Sequence, residues 1–406
     1  MSEQVAPVIQ KERIQALDFL RGFAILGILI MNIQSFAMPG AAYLNPMAYG
    51  DMTGLNKWVW ILSHVLADQK FMTIFSILFG AGIMLITESA ERKTGKSAGL
   101  HYSRTFWLLL IGLFHAHIIW YGDILVAYAV CGFIVYLLRR INPKIQLIIG
   151  VLLISVHTLL YMGVVMSMQH APADAVADTM SSWQPTDEEI ETYIETYTGP
   201  FGEQLAARSE EAFFMETFVL LMIFVWRAGG LMLVGMAFYK WGILQARKSK
   251  SFYTKGILTG LLIGLPIVVY GIVRNYEADW QMQYSMFLGS QYNYWGSLFV
   301  SFAWICLIML IAKSEVLKSL QKRLAAVGQM ALTNYLTQSI ICTLIFYGHG
   351  LALFGQVERT GQVLVIFAVW ALQMIWSPLW LEKYKFGPFE WLWRSLTYMK
   401  LQPFRR

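Results

Sequence analysis

The stretch Gly112-Leu113-Phe114-His115-Ala116-His117-Ile118-Ile119-Trp120-Tyr121-Gly122-Asp123-Ile124-Leu125 is apolar enough to lie in a membrane, yet it holds two imidazoles, an indole and a carboxylate. Ionisable groups are costly in hydrocarbon and persist mainly where they face a bundle interior or a water-filled cavity. The stretch joins two apolar runs, 104–121 and 123–139, with almost no loop between them. Two membrane helices joined so tightly must pack side by side, turning at Tyr121-Gly122-Asp123. On straight helices Asp123 falls at the outer rim and His115 about two turns lower, roughly 12 Å along the axis. His115 and His117 point about 160° apart at 100° per residue, so they are not expected to ligate one metal together.

Composition agrees with a membrane location. Of 406 residues, 57% are hydrophobic and only 14% charged, too few charges to cover so many apolar runs in water. The net charge of +6 does not point to nucleic acid, because the basic residues fall in short clusters between apolar runs, as in cytoplasmic loops. Cys131, Cys306 and Cys342 all lie in apolar segments without metal-ligand spacing and read as core residues. The first apolar run follows a charged lead-in (Lys11, Arg13) but is too long for a signal peptide and contains Arg21 and Asn32. It reads as a retained first span.

About twenty apolar residues cross about 30 Å of hydrocarbon as a helix, and a helix satisfies its own backbone in lipid. Ten runs qualify: 16–37, 64–87, 104–121, 123–139, 145–168, 213–239, 254–273, 293–312, 329–347 and 362–381. With the N-terminus inside, the inner segments, counting Arg104, Arg139 and Lys255 at the inner ends of their runs, hold 24 of the 31 Lys and Arg residues. Four lie outside (Lys57, Arg208, Arg274, Arg359) and three within spans (Arg21, Lys70, Arg227). The expectation is an all-α, polytopic integral membrane helix bundle of about ten spans, one membrane domain over 1–406, with both termini cytoplasmic. Residues 38–63 form an outer loop whose Trp58 and Trp60 mark the headgroup level. Residues 169–212 form an acidic extracytoplasmic loop, where Thr186-Asp187-Glu188-Glu189 opens a short amphipathic helix ended by Gly199-Pro200. Residues 383–406 form a basic, aromatic cytoplasmic tail suited to the membrane surface.

Several polar side chains fall within the apolar runs. Arg21 and Asn32, eleven residues apart, share one face of the first helix, and Asp18 joins that stripe. His64 and Asp68 are four apart, with Lys70 close by, half a metal site at most. Arg227 near mid-bilayer requires a carboxylate, a carbonyl or an anionic ligand; Asp68 and Asp123 are the candidate carboxylates. Asn334 and Gln338 suit either a hydrogen-bonded seam between helices or a ligand site. The candidate ligand-binding set is Asp18, Arg21, Asn32, Asp68, Lys70, Trp120, Arg227, Asn334, Tyr335 and Gln338, with His115 and Asp123 as the candidate catalytic pair. The spacing shows no metal cluster, no phosphate-binding glycine loop and no Ser/His/Asp constellation.

The runs Leu17-Asp18-Phe19-Leu20-Arg21-Gly22, His115 to Leu125, Gly328 to Ser339 and Phe386 to Tyr398 together resemble the YeiB-like family of bacterial membrane proteins, which carry a domain of unknown function numbered 418. That resemblance implies a multi-pass protein of the bacterial inner membrane, with the lipid bilayer as its partner. Arg21 followed after ten residues by Asn32 is also similar, more distantly, to the first helix of transmembrane acyltransferases of the heparan glucosaminide acetyltransferase type. In those proteins a cytoplasmic acyl-CoA donor serves an acceptor on the other side. The bacterial sugar O-acyltransferases carry histidine where this chain has Asn32, which moves the base role to His115.

Two functions from different classes fit these residues. The first is acyl transfer from acyl-CoA as co-substrate to a small-molecule or glycan acceptor. In it His115 acts as base, Asp123 orients it, and Arg21 or Arg227 binds donor phosphates. The second is transport of a small polar or anionic solute, with Arg227 as counter-charge and His115 and Asp123 as a proton relay. Neither requires a further cofactor, and an oligomer is compatible with both.

Overall fold

The computed structural model describes residues 14–406 apart from 169, 171 and 173–178. The lead-in residues Lys11 and Arg13 and part of the 169–212 segment therefore lie outside the described residues. In chain order the helices are α1 (Gln15–Ala37), α2 (Gly54–Leu66), α3 (Lys70–Thr94), α4 (Ala98–Phe114), α5 (Leu125–Val135), α6 (Pro143–Met168), α7 (Asp187–Thr198), α8 (Phe201–Phe214), α9 (Val225–Lys240), α10 (Lys250–Glu277), α11 (Ser290–Ala312), α12 (Lys318–Gln329), α13 (Ala331–Phe346), α14 (Arg359–Lys383) and α15 (Pro388–Thr397). Wide π turns continue α4 at His115–Ile119, join α8 to α9 at Met215–Phe224 and lead into α11 at Ser285–Gly289. No strand forms among the described residues; Tyr384 and Arg405 make an isolated bridge.

The ten expected runs are largely helical, with breaks at 67–69 and 120–124. Among the described residues seven helical stretches are long and apolar enough to cross a membrane, and the shorter apolar stretches Leu125–Leu138 and Ala331–Phe346 lie among them. The surface explains how such a chain is solvated. Leu152, Leu159 and Met166 of α6, Leu262 of α10, and Leu364 and Phe367 of α14 all point outward, whereas Lys70, Arg227, His115 and Gln373 are buried. An apolar exterior with charged and polar side chains buried inside is the arrangement suited to lipid.

We call the end of the bundle where α1 starts the near face and the end where it finishes the far face. α1 is the central helix, packed against α3, α11, α12, α13 and α14. It crosses α12 almost backbone to backbone. A Cβ added to Gly22 would overlap the Leu324 carbonyl, and one added to Gly328 the carbonyl of Asp18. A side chain at either position would push α12 away from α1, the helix that carries Asp18 and Arg21. Gly256, Gly260 and Gly264 form a similar small-residue seam between α10 and α11, so this apolar pair has a defined interface.

Three segments differ from the linear expectation. Residues 38–63 are not all loop. α2 begins at Gly54, and Trp60 is buried beside His64 and Trp280, with ring centroids 5.0 and 5.4 Å away, while Trp58 is exposed. The acidic segment contains the expected capping box at Thr186 and Glu189. Its helix α7 docks on the far end through fully buried Tyr197, and α8 starts at Phe201, so the helical chain into the sixth span begins well before residue 213. The tail helix α15 is built into the bundle. Trp393 Nε1 donates to the Arg104 carbonyl (2.9 Å), and Glu390 accepts from the backbone N–H and hydroxyl of Thr333 at the start of α13 (3.0 and 2.5 Å). A carboxylate at a helix N-terminus meets unpaired N–H groups and the positive end of the dipole, which is what holds this amphipathic helix in place.

Candidate functional site

The chain reverses between α4 and α5 in a way that simple helix spacing does not foresee. The π turn His115–Ile119 ends at Trp120 in extended backbone, and Trp120 to Ile124 then folds back before α5 starts. Asp123 consequently returns to the level of His115, with Nδ1 and Oδ1 2.8 Å apart and both side chains buried. The expected 12 Å separation, with Asp123 at the rim, is thus corrected, because the intervening residues are neither straight nor helical throughout. The second Asp123 oxygen accepts from Val126 N (2.7 Å), capping the first turn of α5 and fixing the carboxylate's rotation. Gly112 leaves room for this contact; a Cβ there would lie 3.1 Å from Asp123 Oδ2 and 2.8 Å from Val126 N.

The other imidazole nitrogen, His115 Nε2, lies 2.9 Å from Ser339 Oγ on α13, and Ser339 is buried as well. Aspartate, histidine and serine are therefore in one line of contact, a constellation that the sequence spacing does not reveal. A carboxylate only accepts, so a neutral imidazole carries its proton on Nδ1 and offers Nε2 to the serine hydroxyl. Ser339 is the residue that sequence reasoning missed. Its signal was slight: it ends the polar run of α13 and lies four residues after Tyr335. His117 diverges from His115 and meets Ser209 (2.7 Å) and Glu216 (3.2 Å).

Arg208 holds the reversal in place from outside. It is almost wholly buried, and its Nη1 donates to the carbonyls of Ile118 and Ile119, both at 2.7 Å. These are carbonyls at the end of a helix, where a guanidinium serves as both donor and counter-charge. Beyond them Trp120 stacks on Phe36 with ring centroids 4.0 Å apart and stands edge-on to the His115 ring at 6.3 Å. On the far side lies an open cleft of about 650 Å³ between α7 and α8, lined by Glu188, Glu189, Glu210, Glu211, Tyr193 and Tyr197.

On the near side a cavity of about 250 Å³ runs into the bundle. Its mouth holds three guanidinium groups, Arg21, Arg104 and Arg394, and two carboxylates, Asp18 and Glu390. Its walls include Ile25, Phe75, Leu78, Leu108 and Leu332, and it ends at Ile124, Tyr128 and Tyr335. Arg21 pairs with Asp18 (2.8 Å), and Arg104 lies over the Trp393 ring at 3.5 Å. The Tyr335 ring separates the cavity from His115, their centroids 5.0 Å apart. Asp18, Arg21 and Tyr335 thus share one cavity, His115 and Asp123 lie just past its end, and Trp120 lies past them.

The remaining candidates lie elsewhere. Asn32 is half-buried on α1. Asp68 contacts His64 (3.1 Å) and accepts from Asn293 (2.7 Å), whose amide oxygen accepts from Lys70 Nζ (2.5 Å). Arg227 donates to the Tyr294 carbonyl (3.1 Å) and to the hydroxyls of Thr73 (3.1 Å) and Ser297 (2.8 Å), and its guanidinium lies 4.2 Å from the Tyr294 ring centre. A carbonyl, two hydroxyls and a π face therefore solvate this arginine in place of the direct carboxylate contact weighed from sequence. Asn334 donates to Val327 O and Ser377, and Gln338 donates to Ile25 O and Gln373, a seam tying α13 to α1, α12 and α14. Among the described residues no group of three His, Cys, Asp or Glu side chains stands close enough to hold a metal.

Apolar helices long enough to cross a membrane, an apolar surface and charged groups buried inside define a multi-pass helical membrane protein. Residues 238–400 match the family model described as "Protein of unknown function (DUF418)". The chain is 32% identical to the uncharacterized protein YeiB of Escherichia coli (strain K12) over 390 residues, covering 95% of this chain and 96% of that protein. It is 32% identical to the uncharacterized protein YxaH of Bacillus subtilis (strain 168) over 414 residues, covering 98% and 97%. An uncharacterized 39.9 kDa protein in the amylase 3' region of Bacillus acidopullulyticus is 25% identical over 397 residues, covering 98% and 97%. The chain belongs to the YeiB-like DUF418 family.

Proposed function

We propose that this protein is a membrane-embedded acyltransferase of the bacterial inner membrane. In this reading the near face and both termini are cytoplasmic, in keeping with the basic loops on that side. An acyl-CoA donor enters from there, and the far-face cleft admits a small-molecule or glycan acceptor. The observation that carries the proposal is the near-face cavity, cationic at its mouth, apolar along its length and ending one aromatic ring short of His115. Guanidinium groups bind phosphates through short, paired hydrogen bonds. At about 250 Å³ the cavity is smaller than typical drug-sized pockets, which suits a slender pantetheine arm and thioester with the nucleotide left at the mouth. His115, oriented by Asp123, is the base.

Calorimetry on the purified protein tests this reading. Acyl-CoA is expected to bind, and Arg104→Ala to weaken it by about 10- to 100-fold, the loss of one charge-assisted contact. His115→Ala is expected to bind donor but not turn it over. Absence of binding at every donor chain length tested would refute the proposal.

A second reading, transport of a small anionic solute, is favoured by one observation: two basic side chains, Lys70 and Arg227, are fully buried in the bundle, Lys70 joined to the carboxylate of Asp68 through Asn293 and Arg227 held by a carbonyl and hydroxyls. Solute flux into sealed vesicles that responds to a pH gradient and disappears in Arg227→Ala would support it.

A further inference from the structure

We infer that Ser339 is the nucleophile of a covalent acyl-enzyme, with His115 as its base and Asp123 as the positioning residue; the identity of the acyl donor rests on the function proposed above. The geometry comes from the π turn after α4, the crossing segment before α5, and α13, with Ser339 lying 224 residues from His115. Ser339 Oγ lies 2.9 Å from His115 Nε2, and His115 Nδ1 lies 2.8 Å from Asp123 Oδ1. Each distance is within the range of a working nucleophile–base–orienter series. Among the described residues the other acceptor of the Ser339 hydroxyl is the Tyr335 carbonyl one turn back, at a long 3.5 Å, so the hydroxyl proton is better directed at Nε2.

Ser339 also stands in the right place relative to the cavity. Tyr335 lines its end, and Ser339 is four residues further along the same helix, about 6 Å in rise and close to the same face. The Tyr335 ring, which lines the cavity's end and packs 5.0 Å from the His115 ring, is the side chain that stands between the cavity and this pair. A serine hydrogen-bonded to histidine inside a bundle is ordinarily mere packing. Here the histidine is oriented by a carboxylate that is itself locked by Val126 N, which packing alone does not require.

The chemistry balances with these groups alone. Ser339 Oγ attacks the thioester carbonyl carbon as His115 Nε2 takes its proton. The C–S bond breaks, and the CoA thiolate leaves with that proton as a free thiol. An acceptor hydroxyl or amine from the far side then gives its proton to Nε2 and attacks the Ser339 ester, and Ser339 leaves with the proton returned from His115.

Two reagents test the assignment on the full-length protein in detergent. A fluorophosphonate needs only an activated serine, and an acyl-CoA with a radiolabelled acyl group needs the donor site as well. Both are expected to label Ser339, as mapped by mass spectrometry, and neither to label Ser339→Ala. Ser339→Cys is expected to carry the acyl group as a thioester cleaved by neutral hydroxylamine. Asp123→Asn is expected to slow labelling by about 10³-fold or more. Labelling by fluorophosphonate alone would keep the nucleophile and remove the acyl-CoA donor. Absence of label at Ser339 from both reagents, or wild-type acyl transfer by Ser339→Ala, would overturn the inference.

Discussion

Replacing Asp123 with alanine and with asparagine separates two duties of one carboxylate, holding the chain reversal and holding a proton on the correct nitrogen of His115. In the native protein its oxygens accept from His115 Nδ1 (2.8 Å) and Val126 N (2.7 Å). Alanine leaves both donors buried and unpaired, at about 1–3 kcal/mol each, so Asp123→Ala is expected to cost about 2–6 kcal/mol of stability. Asparagine has nearly the same shape but only one acceptor. The backbone N–H of Val126 cannot become an acceptor, whereas the imidazole can, so the amide oxygen stays on Val126 and the NH₂ group turns to Nδ1. The imidazole proton then moves to Nε2, which donates to Ser339 and no longer accepts from it. Asp123→Asn is therefore expected to lose only about 1–2 kcal/mol, the difference between charge-assisted and neutral hydrogen bonds. Its fluorophosphonate labelling should nevertheless fall by about 10³–10⁴-fold, as expected when a base carries its proton on the wrong nitrogen. Equilibrium unfolding in mixed micelles reads the first quantity and labelling rate the second. An asparagine variant that labels at the wild-type rate, or an alanine variant as stable as the asparagine one, would refute the reasoning.

Two further outcomes follow from the same framework. Arg208→Ala removes the donor shared by the Ile118 and Ile119 carbonyls, and a loss of about 2–4 kcal/mol is expected in the same unfolding assay, with Arg208→Lys recovering part of it; an unchanged midpoint would show that the reversal does not depend on it. Burial pushes the Glu390 carboxyl up, opposed by the donors of Thr333. A raised acid contributes most below the ordinary carboxylate range, and that contribution is lost as pH rises through it, so the stability difference between Glu390→Gln and wild type should shift in favour of the glutamine variant from about pH 4 to 7. A difference that stays flat over that interval would remove Glu390 as the titrating group.

Much of the architecture was legible because the signal is local. Whether twenty residues form a helix in lipid depends on their own hydrophobicity and on hydrogen bonds within the segment, which is why the ten runs could be read one at a time. The candidate site was legible only in part. His115 and Asp123 were recognisable as expensive groups in an apolar run, and Asp18 and Arg21 as a pair three residues apart. Arg104 and Arg394 were not, because their positions at helix ends look like ordinary basic loops until α15 folds back against α4. Arg227 could be seen to need partners, but hydroxyls and a carbonyl are present in nearly every helix, and sequence alone cannot choose among them.

The sequence by itself thus determined that this chain is an apolar helix bundle with costly polar groups buried in it, since both facts are sums over neighbouring residues. Tertiary structure alone decided which polar groups of different segments meet. The π turn and the extended Trp120–Ile124 crossing bring Asp123 back to His115, and the packing of α13 delivers Ser339 across a separation of 224 residues. A hydrogen bond needs an approach within about 3 Å. No periodicity along the chain encodes such an approach between segments that meet only when the bundle closes.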